Sequence, residues 1–368
     1  MVERPVELLF SLLRISLGTG SVDESFFRGF SDEEWNSCYN VAVKQGVFAL
    51  AWDGVQLLPQ PIQPPKQLKF KWAMSVDKYE AKHRRYCATV QDLQSFYASK
   101  GIVAVQMKGV GFSANYNVPY HREGGDIDIF TFSADELAMS HREANELADT
   151  LMQNQGIEVE MHSYKHSNFI FKGIPVENHK MFLNVEIKPD FLGWLNSYLR
   201  EVISPQKVEM YKGEYNLLVP SPEFNTLFIS CHAFQHYGSG IALHHLYDWS
   251  VILKNYGLHL PDELKHTPFL RGIAAMTHLC NVHLGTDISL EGFPDKYEKM
   301  ADEMLKEMLY PIYSKHTPYT NYASIFFYKC KKVLRSARLA KSVFGSSIYG
   351  RLKESFIAHI KNPSTIFG

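Results

Sequence analysis

Residues 108–130 read KGVGFSANYNVPYHREGGDIDIF, and the rest of the chain is best understood outward from them. Side chains alternate across a strand, so Asp126 and Asp128 of the run 126–130 project from one face, about 7 Å apart. Ile127 and Ile129 then turn to the other side, toward a core. Two carboxylates held side by side repel each other unless a cation lies between them. Hard oxygen ligands in that arrangement suit Mg²⁺ or Mn²⁺. On repulsion alone, removing one of the pair is expected to leave the fold intact. Gly124-Gly125 lets the backbone bend tightly into the strand, and the planar fork of Arg122 suits a phosphate. Upstream, the apolar run 102–105 reads as a buried strand that Lys108-Gly109 closes, which brings an ammonium and exposed backbone to a second corner of the same cleft. A D-x-D on an apolar strand also occurs at solvated sheet edges. The Gly-Gly, the arginine and the Lys-Gly strand end favour chemistry here.

A two-metal site needs a third carboxylate on a neighbouring strand. Residues 168–172 and 175–178 alternate, with Gly173-Ile174 between them to turn a hairpin. Glu177 on the second arm is preferred as the third acid, with His179 sharing its face; Glu186, in 184–188, is the other candidate. Ser133-Ala134-Asp135-Glu136 is a capping-box pattern that predicts a helix from there to about Asn154. Further upstream, residues 1–56 read as helices, one opened by Ser31 with Glu34 three residues on. Next comes LLPQPIQPPKQ (57–67), whose four prolines make a stiff connector, then a long helix over roughly 68–99. From Ser221-Pro222 onward the pattern is helical again. The expected fold class is α+β, divided into an N-terminal helical region (1–98), a small mixed-sheet α/β core (99–195) and a C-terminal helical region with a basic tail (196–368).

Composition bounds the function. The chain has 368 residues, 45% hydrophobic and 21% charged, enough apolar mass for a real core. Lys+Arg 38 against Asp+Glu 39 leaves no global charge to attract nucleic acid or an anionic membrane. No apolar run approaches the ~18 residues of a membrane span. The five cysteines are scattered without a CxxC pair, which argues against a zinc ribbon or a disulfide framework and suggests a cytoplasmic protein. No P-loop, dinucleotide or nucleophile-elbow motif occurs, so kinase, Rossmann and hydrolase readings have no support.

Strand, Lys-Gly, loop, Arg-x3-Asp-Ile-Asp, helix, then a hairpin bearing Val-Glu-x-His: over residues 100–180 this order resembles the DNA polymerase β-type nucleotidyltransferase superfamily. Within it, the chain is most similar to an uncharacterised bacterial nucleotidyltransferase branch. A weaker likeness covers Cys231-His232, His236 and His244-His245-Leu246-Tyr247-Asp248. The resemblance implies a Mg²⁺-dependent (or Mn²⁺-dependent) transfer of a nucleotidyl group from an NTP to a hydroxyl or phosphate acceptor. Asp126, Asp128 and Glu177 are the implied catalytic metal ligands, and Lys108, Gly109, Arg122, Gly125, His179 and Asp248 the implied nucleotide-binding residues. The acceptor (small molecule, protein or RNA) stays open. The superfamily's Gly-Ser pair is here Lys108-Gly109-Val110-Gly111, so a protein that binds nucleotide without turnover is the alternative.

Two further features are weighed. His232 and His236, i and i+4 on a helix, have a spacing that can ligate zinc, but no Glu follows His232 as in a zincin. Residues 329–361 hold nine Lys/Arg and one acid, a basic amphipathic pattern that suits an anionic surface or a solvated helix face.

Overall fold

The computed structural model describes residues 2–135, 138–161, 165–183, 191–238, 240–312 and 321–345. In chain order the elements are α1 (Arg4–Leu17), α2 (Glu24–Arg28), α3 (Asp32–Lys44), α4 (Phe48–Gln56), α5 (Lys66–Ala98), β1 (Ile102–Gln106), α6 (Val110–Ser113), β2 (Ile127–Ser133), α7 (His141–Asn154), β3 (Val159–Glu160), β4 (His166–Phe171), β5 (Ile174–His179) and α8 (Phe191–Val202). They continue with β6 (Gln206–Met210), β7 (Tyr215–Val219), α9 (Pro222–Gln235), α10 (Leu243–Tyr256), α11 (Pro268–Leu279), α12 (Tyr297–Leu309) and α13 (Tyr322–Phe344). Contacts divide the chain into one unit of Met1–Leu183 with Tyr198–Asn225 and another of Asn184–Ser197 with Thr226–Gly368. The class is α+β, as expected. No helix of the described residues is long and apolar enough to cross a membrane.

The first unit is built on a five-stranded mixed sheet ordered β1-β2-β5-β4-β3. β2 runs antiparallel to β1 and parallel to β5, while β4 is antiparallel to both β5 and β3. Alternation does what the sequence requires. Ile127, Ile129, Val176 and Phe169 enter one core with Ala148 and Met152 of α7 and Val90, Leu93 and Tyr97 of α5. The opposite sheet face is left to Asp128, Glu177 and His179. Lys172 and Gly173, both at positive φ, form the β4–β5 turn, one residue earlier than expected.

Helix α5, within two residues of its predicted bounds, has a second task. Tyr79, Lys82 and Tyr86 recur at helical spacing and grip the loop before β2. The Tyr79 hydroxyl donates to the Arg122 carbonyl (2.6 Å) and accepts from the Gly124 N–H (2.8 Å). Lys82 Nζ donates to the Gly124 carbonyl at 3.0 Å and Tyr86 to that of Gly125 at 2.8 Å. Backbone groups that a loop would otherwise give to water are thereby satisfied and fixed.

Two expectations change. Ser133 does not cap a helix: it is the last residue of β2, paired with Ile102, and Ala134 continues the ladder by donating to Gly101. The same S-x-x-E chemistry recurs at Ser140 and Glu143, and there both reciprocal bonds form and open α7. Glu136, the other member of the expected box, lies outside the described residues. Second, residues 206–219 form an antiparallel hairpin, β6–β7, within the stretch read as helical. Its Met210, Leu217 and Val219 join the core of the first unit.

The loop before β2 is also tied to the N-terminal helices. His121 places Nδ1 2.8 Å from Asp53 of α4 and Nε2 2.9 Å from Glu80 of α5. Burial disfavours the charged ring, but the two carboxylates outweigh it and raise the His121 pKa. A raised histidine contributes stability that is complete below the unfolded-state pKa of about 6.5 and is lost as pH rises through the folded value. His121→Gln is therefore expected to cost about 2 kcal/mol at mildly acidic pH and distinctly less at alkaline pH, read from urea unfolding of both proteins. A pH-independent cost would remove the charged bridge from the account.

Candidate active site

The site begins with register. Parallel pairing of β2 with β5 sets Asp128 opposite Glu177, and antiparallel pairing of β4 with β5 sets Asn168 opposite the same Glu177. His179, two residues beyond Glu177, lands on the same face and pairs with His166. The result is a dense group of charges at the centre of the sheet. Asp128 is fully buried, and its Oδ1 lies 3.0 Å from Lys108 Nζ and 3.1 Å from His179 Nε2. The same His179 nitrogen is 3.2 Å from Glu177 Oε2, and His166 Nε2 stands 4.0 Å from that oxygen.

Each group shifts its neighbours. Burial alone would raise the Asp128 pKa, but the Lys108 ammonium and His179 hold it well below the carboxylate range. Glu177 is likewise lowered against burial by the His179 hydrogen bond. Burial would discharge His179, yet its bonds to Asp128 and Glu177 raise its pKa. Lys108 is raised in the same manner, with Asp128 and then Asp126 overcoming burial. Asp126, just before β2, goes the other way: burial and the charge of Asp128 raise it.

A glycine conformation brings Lys108 there. Gly109 sits at φ 57°, ψ −130°, a region that costs a side-chain-bearing residue dearly. Gly111 sits where a Cβ would fall 2.6 Å from the Gln106 carbonyl oxygen. The turn after β1 therefore folds tightly back. Arg122 is buried; its guanidinium donates to the Gly109 carbonyl at 3.0 Å and lies over the Phe112 ring. It thus braces the Lys108-Gly109 turn. Gly125 gives its carbonyl to Tyr86.

Of the expected residues, the structure brings together Lys108, Asp126, Asp128, Glu177 and His179, with Gly109, Arg122 and Gly125 shaping the loops beside them. Asp248 is buried on α10 in the other unit. Glu186 lies outside the described residues. Sequence reading missed Lys165 and His166. Lys165 is within electrostatic range of Asp126, Asp128 and Glu177, and its pKa falls through burial and the charge of Lys108. The alternation of His166, Asn168 and Ile170 along β4 was the signal that could have found His166.

The donor set fits a divalent cation. Asp128, Glu177 and His179 bring one ligand atom each within 4.8 Å of one another, and since His179 Nε2 bonds to both carboxylates, the donors open to a cation are the carboxylate oxygens. The buried Asp128 Oδ2 has no hydrogen-bond partner in the described structure, an orphan oxygen that a hard cation would satisfy. In the second unit His232, His236 and His245 also cluster. There the His245 Nδ1 accepts the Ala242 N–H, which leaves the proton on Nε2, the wrong polarity for a ring that ligates through that nitrogen.

Comparison with known proteins bears on this geometry. A family model described as an uncharacterised nucleotidyltransferase matches residues 31–285. No match is found among curated proteins or among solved structures.

The ion pairs change the expectation for Asp128, whose removal was expected to leave the fold intact, and not for Asp126. Removing the charge of Asp128 takes the 3.0 Å partner from the half-buried Lys108 ammonium and leaves the buried His179 one carboxylate instead of two. Asp128→Asn is expected to cost about 3 kcal/mol in urea unfolding at neutral pH. Asp126→Asn, which relieves repulsion and breaks no ion pair, should stay within about 1 kcal/mol of wild type. Equal costs would contradict this division.

Proposed function

The chain belongs to an uncharacterised nucleotidyltransferase family, and on that premise we propose that Asp126, Asp128 and Glu177 are the centre of a Mg²⁺-dependent nucleotidyl transfer from an NTP to a hydroxyl acceptor. The observation that carries the reading is the rung on which Asp128 and Glu177 stand opposite each other, with Asp128 Oδ1 held by Lys108 and His179 and its Oδ2 left without a hydrogen-bond partner. The proposal extends to the polymerase β-type superfamily, whose order of strand, glycine turn, D-x-D strand and acid-bearing strand resembles that of β1, β2 and β5, with Lys108-Gly109 in place of its Gly-Ser.

Each group then has a task. Asp126, Asp128 and Glu177 hold the ion, which when bound supplies charge neutralisation for the triphosphate and for the departing pyrophosphate. The backbone turn at Gly109 and the ammoniums of Lys108 and Lys165 form the cationic side, toward which a triphosphate is drawn. The acceptor oxygen forms a bond to the α-phosphorus as the bond to the bridging oxygen breaks, and pyrophosphate leaves with that electron pair. The hydroxyl proton passes to Glu177. His179 positions both carboxylates by bonding to each, and Arg122 acts through Gly109.

Thermal unfolding with and without Mg²⁺ or Mn²⁺, across the four NTPs, tests this reading. A ligand bound only by the native state at 100 times its Kd adds about 2.7 kcal/mol. The expected result is a metal-dependent shift with at least one NTP, lost in Asp126→Asn/Glu177→Gln. Absence of any shift in the wild type would overturn the assignment.

A further inference from the structure

The open face of the sheet can be mapped rung by rung. Pairing sets Asp128, Glu177, Asn168 and Glu160 on one rung across β2, β5, β4 and β3. The next rung away from His179 carries Asp126, Pro175, Ile170 and Glu158, since Pro175 pairs with Ile170 and the other two lie two residues from Asp128 and Glu160. On the opposite side of the acid rung lie His179, His166 and Lys165. Basic side chains thus occupy one side and carboxylates the other.

The carboxylate side is a shelf. A cleft of about 590 Å³ is lined by Asp126, Glu177, Asn168, Ile170, Glu158 and Glu160 among others, and among the described residues no lysine, arginine or histidine lines it. Ile170 is 63% exposed, an apolar side chain standing uncovered on the floor beside Pro175. Glu158 and Glu160 are exposed and make no ion pair among the described residues. At one end stands the wholly buried Asp128, its Oδ2 unpartnered, on the same rung and face as the cleft-lining Glu177. Three strand spacings, about 14 Å, separate that end from Glu160.

We propose that this shelf seats the acceptor, and that the acceptor is an amine-bearing alcohol: its hydroxyl at Asp126 and Glu177, its ammonium at Glu158 and Glu160, and an uncharged spacer over Ile170 and Pro175. The proposal rests on the nucleotidyl-transfer reading and narrows it. A carboxylate wall repels a phosphorylated acceptor or a nucleic-acid end and attracts a protonated amine, while the anionic triphosphate belongs to the Lys108 and Lys165 side.

The test uses the full chain with Mg²⁺ and NTP and three probes of one length: ω-amino-octanol, octanediol and ω-hydroxyoctanoate. Calorimetric titration is expected to give the amino-alcohol a Kd about fivefold below that of the diol, with the carboxylate weakest, because two exposed ion pairs are gained or lost. Glu158→Gln/Glu160→Gln should erase that ranking and leave the metal-dependent NTP melting shift unchanged. No binding of the amino-alcohol, tighter binding of the carboxylate, or a ranking that survives in the double variant would overturn the proposal. The last outcome would leave the two glutamates as charges that merely guard an edge strand. Loss of the NTP shift in the wild type would instead bring down the underlying reading.

Discussion

The structure turns on the neutralisation of Asp128. A carboxylate with no exposed surface is costly unless its charge is met, and here Lys108 and His179 meet it from two directions at 3.0 and 3.1 Å. Those partners come from β1's terminal turn and from β5, the two strands that flank β2. One charge therefore joins three strands at the middle of the sheet. The parallel register of β2 and β5 does the rest, since a slip of one residue would send Glu177 to the core and Asn178 to the open face.

Loops complete what the strands begin. Gly109 turns the chain so that Lys108 reaches inward, Arg122 holds that turn by its carbonyl, and the α5 tyrosines hold the loop bearing Arg122. His121 ties the same loop to α4 and α5 through two carboxylates. A site that must place several charges within ångströms of one another needs such support, because loops alone would not hold like charges together. The same support explains why Arg122, whose fork suits a phosphate, is spent on the backbone of its neighbour.

Local pattern made much of this legible. β1, β2, the β4–β5 hairpin, α5 and the Ser31 cap were all readable from alternation, helical stripes and turn residues. So was the gathering of Lys108, Asp126, Asp128, Glu177 and His179. What stayed hidden depends on pairing between distant segments. The S-x-x-E at Ser133 is locally as good a cap as that at Ser140; only the β1 ladder decides between them. The β6–β7 hairpin turns through Tyr211, Lys212 and Gly213, all at positive φ, and Gly213 was a local turn signal that the helical reading of this stretch passed over. Lys165 and His166 reach the site because β4 lies beside β5, a fact of topology. That Asp128 is held by a buried ion pair, and so matters to folding as well as to chemistry, follows from burial that no sequence pattern states.

The central claim is tested most directly by following an NTP labelled at the α-phosphorus through incubation with the full chain, a divalent ion and a hydroxyl acceptor. The account predicts that label moves to the acceptor with one pyrophosphate released per transfer, and that Glu177→Gln abolishes this while still folding. Release of inorganic phosphate with the label retained on the nucleoside diphosphate, or unchanged transfer in Glu177→Gln, would contradict it.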